Sequence, residues 1–275
     1  MQDQTKRPLV AELDLAIHLA KEAGKRLMAF FQTDLRIDRK DRNEPVTEAD
    51  RAAEAVILEG LRRNFPKDGI LSEEQPDLTT WAEHQRAWLV DPMDGTKDFI
   101  AEQNGFSVMI GLLENGRPVL GVVHQPTMGI TYAAANGAGA RLLRENQVQE
   151  LTTSKEADPG KARLAASFSN RSKKIDRVKE ELGITDELNV GSVGLKIGLV
   201  ARGERDLYIN PDGFCRLWDT CAPEIILTEA GGQISDLFGE PLAYVPEEIR
   251  VMRGIVASNG AIHDAVIDRL APIFR

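Results

Sequence analysis

From Leu13 onward, apolar and small residues recur at steps of four and three: Leu13, Ile17, Ala20, Gly24, Leu27 and Phe31. That spacing lines one face of a long amphipathic helix. A second stripe, Ala53, Val56, Ile57, Gly60 and Leu61, predicts another helix that starts after Pro45-Val46 and ends near Phe65-Pro66. Past this point the period changes. Ile70-Leu71 and Trp88-Leu89-Val90 read as short buried strands. Ser107 to Leu113 and Val119 to Val123 flank Asn115-Gly116, while Thr131 to Ala135 and Ala140 to Leu143 flank Asn136-Gly137. Asn-Gly tolerates the positive φ of a tight hairpin, so the first half is predicted to be two helices followed by an antiparallel meander.

The second half alternates. Strands are predicted at Leu164 to Ser167, Leu188 to Val190, Leu207 to Ile209 and Gly254 to Ala257. Helices are predicted at Lys173 to Leu182, Leu195 to Ala201, Thr220 to Ala230 with Gly231-Gly232 as its C-cap, and Ala261 to Leu270. Such alternation indicates an α/β layer. The charged, Gly- and Pro-bearing stretch Thr152 to Lys161 is the expected join. It divides the chain into an N-terminal α+β part, residues 1–155, and a C-terminal α/β part, residues 156–275.

Composition narrows the function by exclusion. With 275 residues and 42% hydrophobic content, the chain can bury a substantial core. A net charge of −9 argues against a nucleic-acid backbone or an anionic membrane as partner. A small anionic substrate is compatible with that charge once a bound cation reverses the local sign. The opening MQDQTKRPLV lacks the apolar core of a signal peptide, and no apolar run approaches the ~18 residues of a membrane span, so a cytoplasmic protein is expected. Cys215 and Cys221 are too few for a disulfide framework and read as reduced, partly buried thiols. The histidines His18, His84, His124 and His263 share no motif, and His18, beside Ile17, is expected to be structural.

The acids suggest the chemistry. In WLVDPMDGTKDF, Trp88 to Phe99, the strand is expected to end at Val90, Pro92 to stop its ladder, and Gly95 to permit a turn into a helix near Thr96. Asp91 and Asp94 then sit beside helix N–H groups that suit a phosphate. Two carboxylates so close raise each other's pKa unless a divalent cation holds both ionised. An all-oxygen set suits Mg2+, Mn2+ or Ca2+ better than zinc. The alternative is a helix cap at Asp94 and a solvated turn residue at Asp91. Ser72-Glu73-Glu74 supplies either a further ligand or exposed turn charge. Thr47-x-x-Asp50 reads as a capping box, and Asp219 in Leu217-Trp218-Asp219-Thr220-Cys221-Ala222-Pro223-Glu224 reads as a helix N-cap.

Taken together and in this order, Pro-Val-Thr-x-Ala-Asp, Ser-Glu-Glu, Trp-Leu-Val-Asp-Pro-Met-Asp-Gly-Thr and Trp-Asp-Thr-x-Ala-Pro-Glu with a trailing Ala-Gly-Gly resemble the inositol monophosphatase superfamily. These are lithium-sensitive, Mg2+-dependent phosphomonoesterases, and the resemblance covers essentially the whole chain. Gly95-Thr96-Lys97-Asp98-Phe99, and Gly191-Ser192-Val193-Gly194-Leu195-Lys196 ahead of the Trp-Asp motif, resemble the 3'(2'),5'-bisphosphate nucleotidase branch.

The resemblance implies a mixed α/β fold, a layered α/β/α/β/α sandwich. It implies that Glu73, Asp91, Asp94, Asp219 and the Met93 carbonyl hold two or three Mg2+ ions, with Mn2+ as a substitute and Asp91 as the bridge. Thr96, oriented by Asp50, would position and deprotonate an attacking water that Glu73 helps to hold. Backbone N–H groups of Gly95 and Thr96 would cradle the phosphate. Ser192 and Lys196 would contact the substrate, with a surface-snorkelling Lys196 as the alternative. The branch often carries serine where this chain has Val193, so Ser192 is the candidate to serve instead. The implied substrate is a small phosphorylated one, 3'-phosphoadenosine 5'-phosphate, cleaved to AMP. An inositol or sugar phosphate on the same scaffold is the alternative, disfavoured by Asn210-Pro211-Asp212-Gly213 upstream of the Trp-Asp motif. Monomer and homodimer both fit.

Overall fold

The structure, a computed structural model, describes residues 9–33, 37–39, 45–75, 80–145, 147–169 and 171–275; the polar leader in residues 1–8 lies outside them. The two expected N-terminal helices are α1, Val10–Phe30, and α2, Glu48–Asn64. The first buries Leu13, Ala16, Ala20, Ala23, Gly24 and Leu27, and the second buries Ala49, Ala53, Ile57 and Leu61. Two three-residue strands, β1 (Ile37–Arg39) and β2 (Pro45–Thr47), pair antiparallel just before α2.

The meander is a seven-stranded sheet. Its strands run in chain order: β3 (Gly69–Ser72), β4 (Arg86–Asp94), β5 (Ser107–Glu114), β6 (Arg117–Gln125), β7 (Ile130–Ala135), β8 (Ala140–Arg144) and β9 (Gln147–Glu150). Only β3 and β4 pair in parallel. Asn115 and Gly116 take φ of 52° and 71°, the tight hairpin expected between β5 and β6. The second hairpin differs. Its loop extends over 136–139, and the positive φ values fall on Gly137 and Gly139. Strand β9 was not anticipated because all four of its residues are exposed, so it carries no apolar signature.

The second sheet has five strands in the order β11-β10-β12-β14-β13. They are β10 (Leu164–Ser167), β11 (Glu187–Val190), β12 (Leu207–Asn210), β13 (Gln233–Ser235) and β14 (Ile255–Ser258). β10 is parallel to β11 and β12, whereas β14 is antiparallel to β12 and β13. The helices here are α4 (Lys174–Leu182), α5 (Val193–Ala201), α6 (Leu217–Glu229) and α7 (His263–Phe274), with a short α3, Thr96–Ile100, directly after β4. Helix α6 ends as expected. Gly231 takes φ 89° and donates to the Thr228 carbonyl, and Gly232 donates to that of Leu227, a Schellman motif.

Alternation along β4 and β5 sorts the layers. Trp88, Val90, Ile110 and Leu112 pack with α1 and α2, while Leu89, Met109 and Leu113 pack with α5 and α6. Those two helices also meet Ala165, Tyr208 and Ala257 of the smaller sheet. Its other face, with Leu164, Leu207 and Val256, meets Ile175 and Val178 of α4 and Val266 and Leu270 of α7. The result is the five-layered α/β/α/β/α sandwich. No helix among the described residues is long and apolar enough to cross a membrane.

Candidate active site

The site begins where β4 departs from expectation. The strand does not stop at Val90 but runs through Pro92 to Asp94. Asp91 pairs with Met109 and Asp94 with Ser107, so Pro92 and Met93 oppose Val108 alone. That is a β-bulge, and a bulge tolerates a proline that lacks the N–H for a regular ladder. Asp91 is 1% exposed, and its Oδ1 accepts from the Met93 N–H at 2.9 Å. Gly95 then takes φ 101°, and a Cβ there would stand 2.6 Å from the Gly105 carbonyl oxygen. Glycine alone fits this turn into α3.

Other segments bring further acids to the bulge. Parallel pairing of β3 with β4 lets the Glu73 N–H donate to the Val90 carbonyl at 3.1 Å, next to Asp91. Asp219 arrives on α6. It is the third residue of that helix rather than its N-cap, because α6 begins at Leu217, three residues earlier than expected. Its Oδ2 accepts from the Arg216 N–H at 2.7 Å; arginine has no side-chain acceptor to complete a capping box. Burial pushes the Asp91 carboxyl well above its ordinary range, and like-charge repulsion from Glu73, Asp94 and Asp219 pushes it further. Asp219 is raised in the same way, by burial and then by Asp94 and Glu73, with Arg216 opposing. Four acids from three separate segments therefore share one electrostatic neighbourhood.

Asp50 serves two purposes. Its Oδ2 accepts from the Thr47 N–H and from Thr47 Oγ1, both at 2.7 Å, which is the expected capping box of α2. Its Oδ1 faces Thr96 Oγ1 at 3.3 Å, and the same hydroxyl lies 3.2 Å from the Met93 carbonyl oxygen. The helix cap thus fixes a carboxylate whose second oxygen orients Thr96.

Asp94 turns out to be a cap, though not of its own helix. Its Oδ2 accepts from Ser192 Oγ at 2.6 Å, Val193 N at 2.5 Å and Gly194 N at 3.3 Å, closing the N-terminus of α5. Ser192 sits at φ 41°, a strained value for a residue with a side chain, and its Oγ also meets Ser107 Oγ at 2.8 Å. The snorkelling reading of Lys196 is corrected. The residue is 2% exposed, its Nζ donates to the carbonyls of Gly191 at 3.0 Å and Val190 at 3.3 Å, and it lies 5.4 Å from the Tyr208 ring centroid. Burial lowers the pKa of its ammonium, while Asp94, Cys215, Asp98 and Asp219 oppose the shift.

Several neighbours escaped the sequence reading. Ser107 gave no signal at the start of an apolar strand. Asp98 stood inside the Gly-Thr-Lys-Asp-Phe motif without a role; it is buried, accepts from Ser169 Oγ and abuts Gly191, where a Cβ would collide with it. Asp212 is held by Lys174 at 2.8 Å, and Asn210 donates to Cys215 Sγ. Both cysteines are free and buried. His18 is exposed on α1. The buried histidines are His124 and His263, and burial brings His124 down to about 4.

The donor chemistry fits a hard divalent cation. Carboxylates and one backbone carbonyl supply only oxygens, and their mutual repulsion calls for positive charge. In the arrangement described, Asp91 hydrogen-bonds with Glu73 and Asp94 Oδ2 is turned to α5. Among the described residues, no three histidine, cysteine, aspartate or glutamate side chains stand as a finished ligand set.

The chain matches the inositol monophosphatase family across residues 10–273. A 3'(2'),5'-bisphosphate nucleotidase CysQ from Escherichia coli (strain K12) is 38% identical over 239 residues, 86% of this chain and 95% of the relative. A histidinol-phosphatase from Mycobacterium tuberculosis is 35% identical over 264 residues, 94% of this chain and 97% of the relative. Among solved structures, a Thermotoga maritima IMPase superposes with a TM-score of 0.82 at 27% identity, covering 96% of this chain and 98% of that one. The family match spans both sheets and all the acid-bearing segments, and the chain belongs to the inositol monophosphatase family of phosphatases.

Proposed function

We propose that the chain is a Mg2+-dependent, lithium-sensitive phosphomonoesterase that converts 3'-phosphoadenosine 5'-phosphate into AMP and phosphate. The carrying observation is Asp91: a buried carboxylate on which Glu73, Asp94 and Asp219 all press with like charge. Glu73, Asp91, Asp94, Asp219 and the Met93 carbonyl are the ligands of this reading, for two or three ions. Bound there, Mg2+ supplies neutralising charge and Lewis-acid activation of water. Asp50 keeps the Thr96 hydroxyl oriented to hold and pass on a proton of the attacking water, and Glu73 helps to hold that water. The N–H groups of Gly95 and Thr96 bind the phosphate oxygens. Ser192 and Lys196 line the substrate side, Lys196 as a buried positive charge.

The nucleotide is favoured by 38% identity to a bisphosphate nucleotidase and by the buried lysine on α5. Histidinol phosphate is the second reading, because a relative of that name aligns over 94% of this chain. Phosphate release from 3'-phosphoadenosine 5'-phosphate, histidinol phosphate, inositol 1-phosphate and fructose 1,6-bisphosphate, with Mg2+, separates them. The expected result is a kcat/KM for the nucleotide at least roughly tenfold above every other, about 1.4 kcal/mol of discrimination, and inhibition by millimolar Li+. A preference for histidinol phosphate would reassign the substrate.

A further inference from the structure

Glu54 lies one helical turn beyond Asp50 on α2, on the same face. It is 1% exposed, a setting that glutamate occupies only when its carboxylate is bonded. Its Oε1 accepts from Ser72 Oγ at 2.5 Å and its Oε2 from Gln75 Nε2 at 2.7 Å. Ser72 and Gln75 bracket Glu73-Glu74, and the Glu73 N–H is itself tied to the Val90 carbonyl. The segment that carries Glu73 is therefore held at both ends by one buried carboxylate and in the middle by β4.

We infer that Glu54 is a positioning residue that aims the Glu73 carboxylate at Asp91. Its partner one turn back, Asp50, holds Thr96, so a single rigid helix sets two parts of the site. A segment fixed in this way keeps Glu73 in place before a cation arrives, which raises cation affinity by removing the ordering cost from the binding step. The inference rests on the proposed role of Glu73 as a metal ligand.

Calorimetric titration of the metal-free enzyme with Mg2+ tests it. Glu54→Ala is expected to weaken binding about tenfold and Gln75→Ala, which removes one of the two ties from an exposed position, by a smaller factor. Glu54→Gln leaves Ser72 an acceptor but turns the charge-assisted bond from Gln75 into a weaker neutral amide pair. Combining it with Gln75→Glu exchanges donor and acceptor and is expected to restore wild-type affinity, whereas a purely structural role would lower the metal-free Tm of the single variants and leave the Mg2+ affinity of the folded protein unchanged. Wild-type Mg2+ affinity in folded Gln75→Ala and Glu54→Gln overturns the inference, even if Glu54→Ala does not fold. Glu73→Gln separates the two levels. Weakened binding there with no effect at Glu54 and Gln75 rejects the positioning role alone, whereas unchanged binding at Glu73→Gln rejects the ligand assignment and the inference with it.

Discussion

Two groups of acids in this molecule live under opposite conditions. On β11, Glu187 accepts from Arg171 Nε at 2.5 Å and from Lys179 Nζ at 2.8 Å, and these bases hold its carboxyl down to about 2. At the β4 bulge, Asp91 and Asp219 are pushed up, by burial first and by one another's neighbours second. The chain thus matches an acid with its own bases where only folding is at stake. Around Asp91 it gathers acids instead. A folded state stable by only ~5–15 kcal/mol carries such uncompensated repulsion at a real cost, so the arrangement points to a cation supplied from outside.

The sharpest way to break the comparison is to neutralise one member of the crowded group. Asp219→Asn keeps an oxygen to accept from the Arg216 N–H, so the start of α6 survives. It removes a charge that the cation needs and that the metal-free protein tolerates poorly. Turnover is expected to fall roughly a thousandfold, while the metal-free Tm stays level or rises. Near-normal phosphate release would end the metal assignment. A large drop in metal-free Tm would mean that Asp219 belongs with Glu187, as a stabilising acid.

A pH series sharpens the contrast at smaller amplitude. A carboxyl whose folded pKa is raised stabilises the protein fully below its unfolded value and loses that contribution as pH climbs through the folded one. Asp91 and Asp219 are raised from 3.8, and burial raises Glu224 from 4.5 to about 7, with Tyr244 donating to it at 2.7 Å. The metal-free protein is therefore expected to lose Tm between mildly acidic pH and pH above neutrality. Mg2+ should remove the share due to the acids at the β4 bulge and leave the share due to Glu224. Each ~1 kcal/mol corresponds to a few degrees in a chain of this size. A metal-free Tm that rises across that interval would contradict the crowding of these carboxylates.

The fold was legible in sequence where one face is buried and the other wet, as along α1 and α2, and where a residue type forces the backbone, as at Asn115-Gly116 and Gly231. It was illegible where neither holds. Strand β9 is exposed throughout, and β1 and β2 are three residues each, too short to show a period. Pro92 argued for a strand end, but a bulge absorbed it. At the site, the acids could be found because each motif lies at an element boundary. What each acid touches could not. Asp94 capping α5 spans about 100 positions, and Lys196 stood between a substrate contact and a snorkelling surface position until its helix proved buried on every side. Glu54 sat in plain view one turn after Asp50, yet only the contact with Ser72 and Gln75 gives it meaning.

The smallest expected effect lies at the well-matched acid, and its sign is the useful part. Glu187 has a lowered folded pKa, so its contribution is present above the ordinary carboxylate value and is lost as pH falls toward about 2. Arg171 and Lys179 are each about a quarter exposed, so solvent screens the pairing. Glu187→Gln should therefore cost only ~1 kcal/mol at neutral pH. The loss should shrink in denaturant melts near pH 3, and kcat/KM should not change. That pH trend runs opposite to the one expected at the β4 bulge. If both regions drifted in the same direction, the distinction between acids paired for folding and acids gathered for a cation would have no physical basis.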